Sequence, residues 1–300
     1  MSPFQLNQIT EHVYWLPPDE RTDRPVLGAI VGKSATQFVD AGNSPTHANL
    51  LLEGLAQIGL PRSGYLVLTH WHWDHVFGSP AFNLPIIAHQ ETKRKIEEMA
   101  QLDWKDEALD NRVEEGTEIE FCRDMIKAEW PDRTHLRFKP PDISFETQIE
   151  FNLGGLPCQV KHVGGDHAAD SSVVYIPEDK VVFLSDCLYE DLHHGPPKYT
   201  TQNLFPLIDE LLRYNADHYL LGHEPAPIPK QEIVGYTNFL KSVGKEVQVW
   251  GDDRKLILQK LEEKMGKLLD DDQLEILEAF LAGLRYQESV DKKRYRRPAT

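Results

Sequence analysis

Residues 70–75 read His-Trp-His-Trp-Asp-His, which sets four metal-ligand types within six positions. Imidazole nitrogens and carboxylate oxygens are the borderline donors that zinc prefers, so the run points to a metal centre. The preceding Tyr65-Leu66-Val67-Leu68-Thr69 is apolar and β-prone, which places the cluster where a buried strand ends. Extended geometry carried on for a few residues would aim His70, His72 and Asp74 to one side, and Trp71 and Trp73 to the other. His75 follows as the chain turns through Val76, Phe77 and Gly78. A cluster held in this way can feed two adjacent metal positions.

Three further residues stand at strand ends in the second half of the chain. His167 lies in the turn Gly164-Gly165-Asp166-His167, Asp186 follows Val181-Val182-Phe183-Leu184, and His223 follows Tyr219-Leu220-Leu221-Gly222. Singly, each reads as a turn or capping residue. Together they add one donor from each of three strand ends, the way an α/β scaffold assembles a site.

The elements that must hold these donors are visible as patterns. Strand-like segments cover residues 12–16, 26–31 and 36–39, the last two joined by the tight connection Gly32-Lys33-Ser34. Ser44-Pro45 opens a helix, with serine as cap and proline at the first position, and Leu51, Leu52, Leu55 and Ile58 form its apolar face. A short strand covers residues 84–88. Residues 91–130 are charged and helix-prone, and read either as a lid or wall beside the cluster, with Trp104 and Trp130 offering apolar contacts, or as a helical pair serving only packing. After Pro140-Pro141, strands are expected at 147–151, 158–163, 172–176 and 181–184. From Pro229 onward the pattern is helical, with Ile257, Leu258, Leu261 and Met265 on one face and a further helix over 272–286. This order predicts an α/β sandwich.

The bulk composition narrows the function. The 300-residue chain is 40% hydrophobic and 27% charged, as globular proteins are. It carries 32 basic against 48 acidic residues, a formal net charge of −16, which repels a phosphate backbone and argues against nucleic acid as partner. The basic stretch Lys292–Arg297 reads as a solvated tail. Cys122, Cys158 and Cys187 are scattered and form no CxxC pair, the N-terminal residues lack a secretory pattern, and no apolar run reaches membrane-span length. A cytoplasmic protein without membrane attachment is the expectation.

The ordered set HxHxDH, a histidine in a glycine-rich turn, an aspartate after a strand and a final histidine resembles the metallo-β-lactamase superfamily, with a metal site like that of glyoxalase II and the lactonases. The resemblance covers roughly residues 10–228. It implies a four-layer αβ/βα sandwich as a catalytic domain over 1–228; the helical insertion at about 91–140 and the helical extension over 229–300 are not accounted for by it. Carried over residue by residue, it assigns His70, His72 and His167 to a first metal, Asp74, His75 and His223 to a second, and Asp186 to both as a bridge. Two zinc ions are implied, with iron or manganese as the alternatives.

The implied reaction is hydrolysis of an ester, thioester, lactone, amide or phosphoester in a small-molecule substrate, with a metal-bridging hydroxide as nucleophile and Asp74 orienting the water. The true β-lactamases of the superfamily commonly carry Cys or Ser where Asp186 stands, which disfavours antibiotic hydrolysis. Tyr189 lies three residues after Asp186, the offset at which lactonases place a tyrosine that assists at the substrate carbonyl; core packing is its plain alternative. Asp166 and Asp170 flank His167 as candidates to orient a ligand imidazole or simply to cap the turn, and Cys187 reads as packing. A mononuclear iron persulfide dioxygenase and a non-catalytic metal-binding module are the rival classes. The C-terminal helices are the candidate contact for a homo-oligomer.

Overall fold

Side-chain alternation along two central strands sets the layers of this molecule. In the computed structural model, which describes residues 5–61 and 63–295, those strands are β4 (Thr36–Val39) and β5 (Gly64–Leu68), paired in parallel. They belong to a seven-stranded sheet completed by β1 (Asn7–Gln8), β2 (Val13–Leu16), β3 (Leu27–Val31), β6 (Ile86–His89) and β7 (Ile143–Phe145), in chain order across the sheet. Strands β1 to β4 meander antiparallel, and β4 to β7 run parallel. The second sheet holds β8 (Gln148–Asn152), β9 (Pro157–His162), β10 (Ser172–Ile176), β11 (Val181–Ser185), β12 (His218–Leu221) and β13 (Ile228–Pro229). Its pairings are antiparallel except for β11 beside β12. The α/β sandwich expected from the sequence is the fold observed.

Residues of opposite parity fill two cores. Val39, Val67 and Ile87 face Val160, Val174, Phe183 and Leu220 between the sheets. Phe38, Leu66, Leu68 and Ile86 face outward against Leu51 and Leu55 of α1 (Pro45–Gln57). Helix α1 begins as its sequence predicts: Ser44 Oγ accepts from His47 N at 3.0 Å, and Pro45 takes the first position. The predicted bounds 36–39 and 172–176 are those observed.

Several elements lay outside the sequence reading, among them the short edge strands β1 and β13 and two others. One is the three-residue β7; the other is α6 (Thr201–Leu211), whose internal Pro206 reads as a breaker but is tolerated in the folded chain.

The chain divides into two compact units. The first comprises the chain up to Gly164 with Ala168–Cys187 and Tyr214–Lys230, and so holds both sheets and α1. It also holds α2 (Trp73–Val76), α3 (Gln90–Met99), α4 (Asp106–Glu114) and α5 (Glu120–Glu129). The second comprises Gly165–His167, Leu188–Arg213 and the chain from Gln231 onward. It contains α6 and nearly all of α7 (Lys230–Trp250), α8 (Arg254–Met265) and α9 (Asp271–Tyr295). Within it the Tyr199 and Phe280 rings lie 5.3 Å apart, and Gly244 makes room for Phe205 and Phe280. Among the described residues no helix is long and apolar enough to cross a membrane.

Gly28 on β3 leaves the space that the Phe183 ring fills between the sheets, and a Cβ there would come within 2.5 Å of Phe183 Cε1. Gly28→Ala is therefore expected to cost about 1–3 kcal/mol through overpacking. Combining it with Phe183→Leu should recover part of that loss, read as non-additivity in urea unfolding. Strictly additive effects would show that the two residues do not compete for this space.

Candidate metal centre

Every donor in the first unit sits just past the C-terminal end of a strand. Strand β5 ends at Leu68, and His72 is already the extended cap (φ −60°, ψ 146°) of the short helix α2. Asp74 and His75 are thus presented by a helical turn, not by the extended run that simple alternation predicts. The two tryptophans part company for the same reason. Trp73 turns into the outer core, 5.8 Å from the Phe77 ring. Trp71 stays half-buried with its ring 4.8 Å from His72, and the Lys95 ammonium sits 5.4 Å from its centroid.

From the second sheet, the parallel pair β11 and β12 delivers Asp186 and His223 side by side. Gly222 is required between them, because a Cβ at that position would overlap Asp186 Oδ1.

The ligand atoms of Asp74, His75, Asp186 and His223 lie within 4.8 Å of one another. His75 Nε2 is 3.0 Å from Asp74 Oδ2 and 3.1 Å from Asp186 Oδ2. His223 Nε2 is 3.4 Å from each of the same two oxygens. His70 Nε2 lies 3.8 Å from Asp186 Oδ2, and the His70 and His72 rings are 4.6 Å apart. One oxygen of Asp186 therefore faces three imidazoles, those of His70, His75 and His223. His70, His72, Asp74, His75 and Asp186 are all buried, and His223 is partly exposed.

The electrostatics follow from this crowding. Burial by itself would raise Asp74, but His75 and His223 hold it well below the usual carboxylate range. Burial would lower His75, yet Asp74, Asp186 and Asp40 raise it well above an ordinary imidazole. His223 behaves alike under Asp186 and Asp74. Two buried carboxylates thus draw positive charge to one point, and inward-facing Nε2 atoms surround it. That donor set fits divalent cations, which would take the place of the imidazole protons.

Two carboxylates behind the histidines were not singled out in the sequence. Asp40 follows the last residue of β4, takes the left-handed region (φ 60°) and is buried. It accepts hydrogen bonds from Thr69 N at 2.7 Å, Thr69 Oγ1 at 2.8 Å, His75 Nδ1 at 2.9 Å and Ser185 Oγ at 3.2 Å. The available signal was an aspartate closing the buried run Phe38-Val39, the same signal that marked Asp186. Asp23, in the loop between β2 and β3, has Oδ1 at 3.5 Å from His223 Nδ1. Burial, and then the Asp74 charge, push its carboxyl up to about 7; a cation held by Asp74 would offset that repulsion.

His167 and Tyr189 lie in the second unit, with ring centroids 6.1 Å apart. His167 Nδ1 is 3.2 Å from the Glu190 carbonyl oxygen, and its other ring nitrogen, Nε2, is buried. Asp166 receives Thr200 N at 2.7 Å, Thr200 Oγ1 at 2.6 Å and Asn203 Nδ2 at 2.8 Å, so it tethers the start of α6. Asp170 accepts from Thr92 Oγ1 at 2.7 Å. Both therefore act as loop anchors instead of holding the His167 ring. Cys187 is buried, and burial pushes its thiol up, in keeping with a packing role.

The insertion packs against the metal-bearing turn from the outer side. Trp104 is buried with its ring 4.9 Å from Phe77, and the Phe138 ring stacks on Phe77 at 4.9 Å. Trp130 donates from Nε1 to Asn43 O at 2.8 Å. Trp104 thus packs in the outer core, as the packing alternative for the insertion anticipates.

The chain belongs to the metallo-beta-lactamase superfamily, whose family model matches residues 30–223. No curated protein is significantly similar in sequence. Among solved structures, the metallo-beta-lactamase from Pontibacter korlensis is 21% identical, with 78% of this chain aligned to 97% of that one at a TM-score of 0.53. The stereoselective inverting sec-alkylsulfatase Pisa1 from Pseudomonas sp. is 14% identical, with 80% of this chain aligned to 41% of that chain at a TM-score of 0.58. A double mutant of the same sulfatase aligns over 95% of this chain and 50% of its own, with 14% identity and a TM-score of 0.62. At such identities the likeness is one of fold.

Asp40 satisfies several buried donors at once, so its loss leaves them unpaired. Asparagine tolerates the left-handed backbone, and Asp40→Asn is expected to lower the unfolding free energy by roughly 1–3 kcal/mol. An unchanged denaturation midpoint would show that Asp40 is not the anchor of this network.

Proposed function

We propose that the protein is a metal-dependent hydrolase that binds two zinc ions and cleaves an ester, thioester, lactone or phosphoester of a small molecule. The observation that carries the reading is Asp186 Oδ2, placed 3.8 Å from His70 Nε2, 3.1 Å from His75 Nε2 and 3.4 Å from His223 Nε2. A single oxygen in that position suits a bridge between two cations. On this reading His70, His72 and His167 hold one ion, and Asp74, His75 and His223 hold the other. Membership of the superfamily and the order of the residues support the place of His167 in the first set.

Ions bound there would supply a water acidic enough to attack at neutral pH and a Lewis acid for the substrate oxygen. The side chains do the rest. Asp74, buried beside His75 and His223, orients the attacking water and takes up its proton. Tyr189, beside His167, donates its hydroxyl to the oxygen on which charge develops. Residues 1–228 form the catalytic domain, with 229–300 as an extension. A cytoplasmic setting is in keeping with three buried cysteines that remain free thiols.

Elemental analysis of the purified protein, with a panel of thioester, lactone and phosphodiester substrates, tests the reading. The expected result is about two zinc ions per chain and turnover of one of these classes. His72→Ala should lose one ion and nearly all activity, and Asp186→Ala should weaken both sites. One iron per chain with oxygen uptake on a persulfide would replace the hydrolase with a dioxygenase.

A further inference from the structure

The histidines of the centre share a pattern that extends to a residue without an assigned role. His75 turns Nε2 to Asp74 and Asp186, and its Nδ1 meets Asp40 at 2.9 Å. His70 turns Nε2 toward Asp186, and its Nδ1 meets Thr69 Oγ1 at 3.1 Å. His223 also turns Nε2 inward, and the group at its Nδ1 is Asp23 Oδ1, 3.5 Å away. An imidazole that offers Nε2 to a cation keeps its proton on Nδ1, and the acceptor there fixes both tautomer and ring plane. We infer that Asp23 is the positioning residue of His223, holding its Nε2 toward the second metal position. The inference rests on the reading of His223 as a ligand.

The loop that carries Asp23 is built to hold one position. Asp23 adopts a left-handed conformation (φ 56°) directly after the turn Glu20–Thr22. Asp19 N donates to Arg24 O at 2.8 Å, and Arg24 N returns to Asp19 O at 3.0 Å, closing the loop across Asp23. Glu129 at the end of α5 takes Thr22 Oγ1 at 2.6 Å and Arg24 Nη2 at 2.8 Å, and it also takes the Ser44 hydroxyl. Asn43 Nδ2 donates to Thr22 O at 2.6 Å. Val26 N donates to Gly222 O at 2.6 Å, which ties the loop to the residue before His223.

Asp23 is thus pinned from the insertion, from the start of α1 and from the end of β12. It addresses the outer nitrogen of His223, opposite the edge that faces Asp74 and Asp186, so it orients the ring and does not itself compete for the cation. Through Glu129, the last helix of the insertion braces the metal centre and does more than fill space.

Full-length wild type, Asp23→Asn, Asp23→Gly and His223→Ala, each stripped of metal, would be titrated with Zn2+ against a chromophoric chelator. Co2+ absorption spectra and metal-free unfolding midpoints would be recorded alongside. Asn and Gly both accept the left-handed backbone, which keeps the loop intact. The expected result is two ions for wild type and loss of the second in His223→Ala. Asp23→Asn should weaken that same site about 10-fold and Asp23→Gly up to about 100-fold, with a changed Co2+ spectrum and an unchanged metal-free midpoint. Wild-type affinity in both Asp23 variants, while His223→Ala still loses an ion, overturns the inference and leaves the metal reading standing. A fall in both sites together with the metal-free midpoint shows a purely structural residue and also overturns it. If His223→Ala binds two ions as tightly as wild type, the ligand reading beneath it fails instead.

Discussion

Asp74 and Asp186 are ionisable carboxylates buried almost completely, with their Oδ2 atoms within 3.4 Å of the same two imidazole nitrogens. Removing such charges from water costs several kcal/mol each unless opposite charge and hydrogen bonds replace the lost hydration. The local geometry meets that demand. The helical turn of α2 brings Asp74 next to His75, and the absence of a side chain at Gly222 lets Asp186 approach. Asp23, Asp40 and Ser185 hold left-handed backbone around the same point, conformations that persist only where surrounding contacts enforce them.

The scaffold supplies those contacts by joining the two sheets where their strands end. Thr69 at the end of β5 bonds Asp40 after β4 and Ser185 at the end of β11, and Ser172 N donates to Thr69 O at 2.9 Å. The end of one sheet is thereby stitched to the end of the other beneath the histidines. The apolar core between the sheets, from Val67 to Phe183, keeps these ends in register. Donors fixed on strand ends and on the turn of α2 are positioned by the fold itself, and such pre-positioning favours selective and tight metal binding.

The second unit shows a different way of holding the candidate residues it carries. His167 and Tyr189 sit on loops, and side-chain anchors replace the strand ends. Asp166 ties its turn to Thr200 and Asn203. Lys198, itself buried, pairs with Asp191 at 2.8 Å and lies 4.8 Å from the Tyr286 ring centroid, which clamps the segment after Tyr189. Tyr199 donates to Leu188 O at 3.1 Å within the same segment. Loops of this kind are where substrate preference is usually encoded, on top of a fixed metal chemistry.

What could be read from the sequence alone was local. The run His70–His75 carries its chemistry in contiguous residues, strands 36–39 and 172–176 are short β-prone runs, and Ser44-Pro45 carries its own cap. Each of these is decided by neighbours a few positions away, so propensity and spacing suffice. Tertiary structure decided the partners on the far side of each ring. Asp40 reaches His75 across 35 positions and Ser185 across 145, contacts that leave no periodic trace. It also decided that Asp74 and His75 sit on a helical turn, that Trp104 packs on Phe77, and that Glu129 braces the loop of Asp23 from 107 positions beyond Thr22. Ligand identity follows from residue type, but the orientation of a ligand follows from what touches its other end, and only folding brings that group within reach.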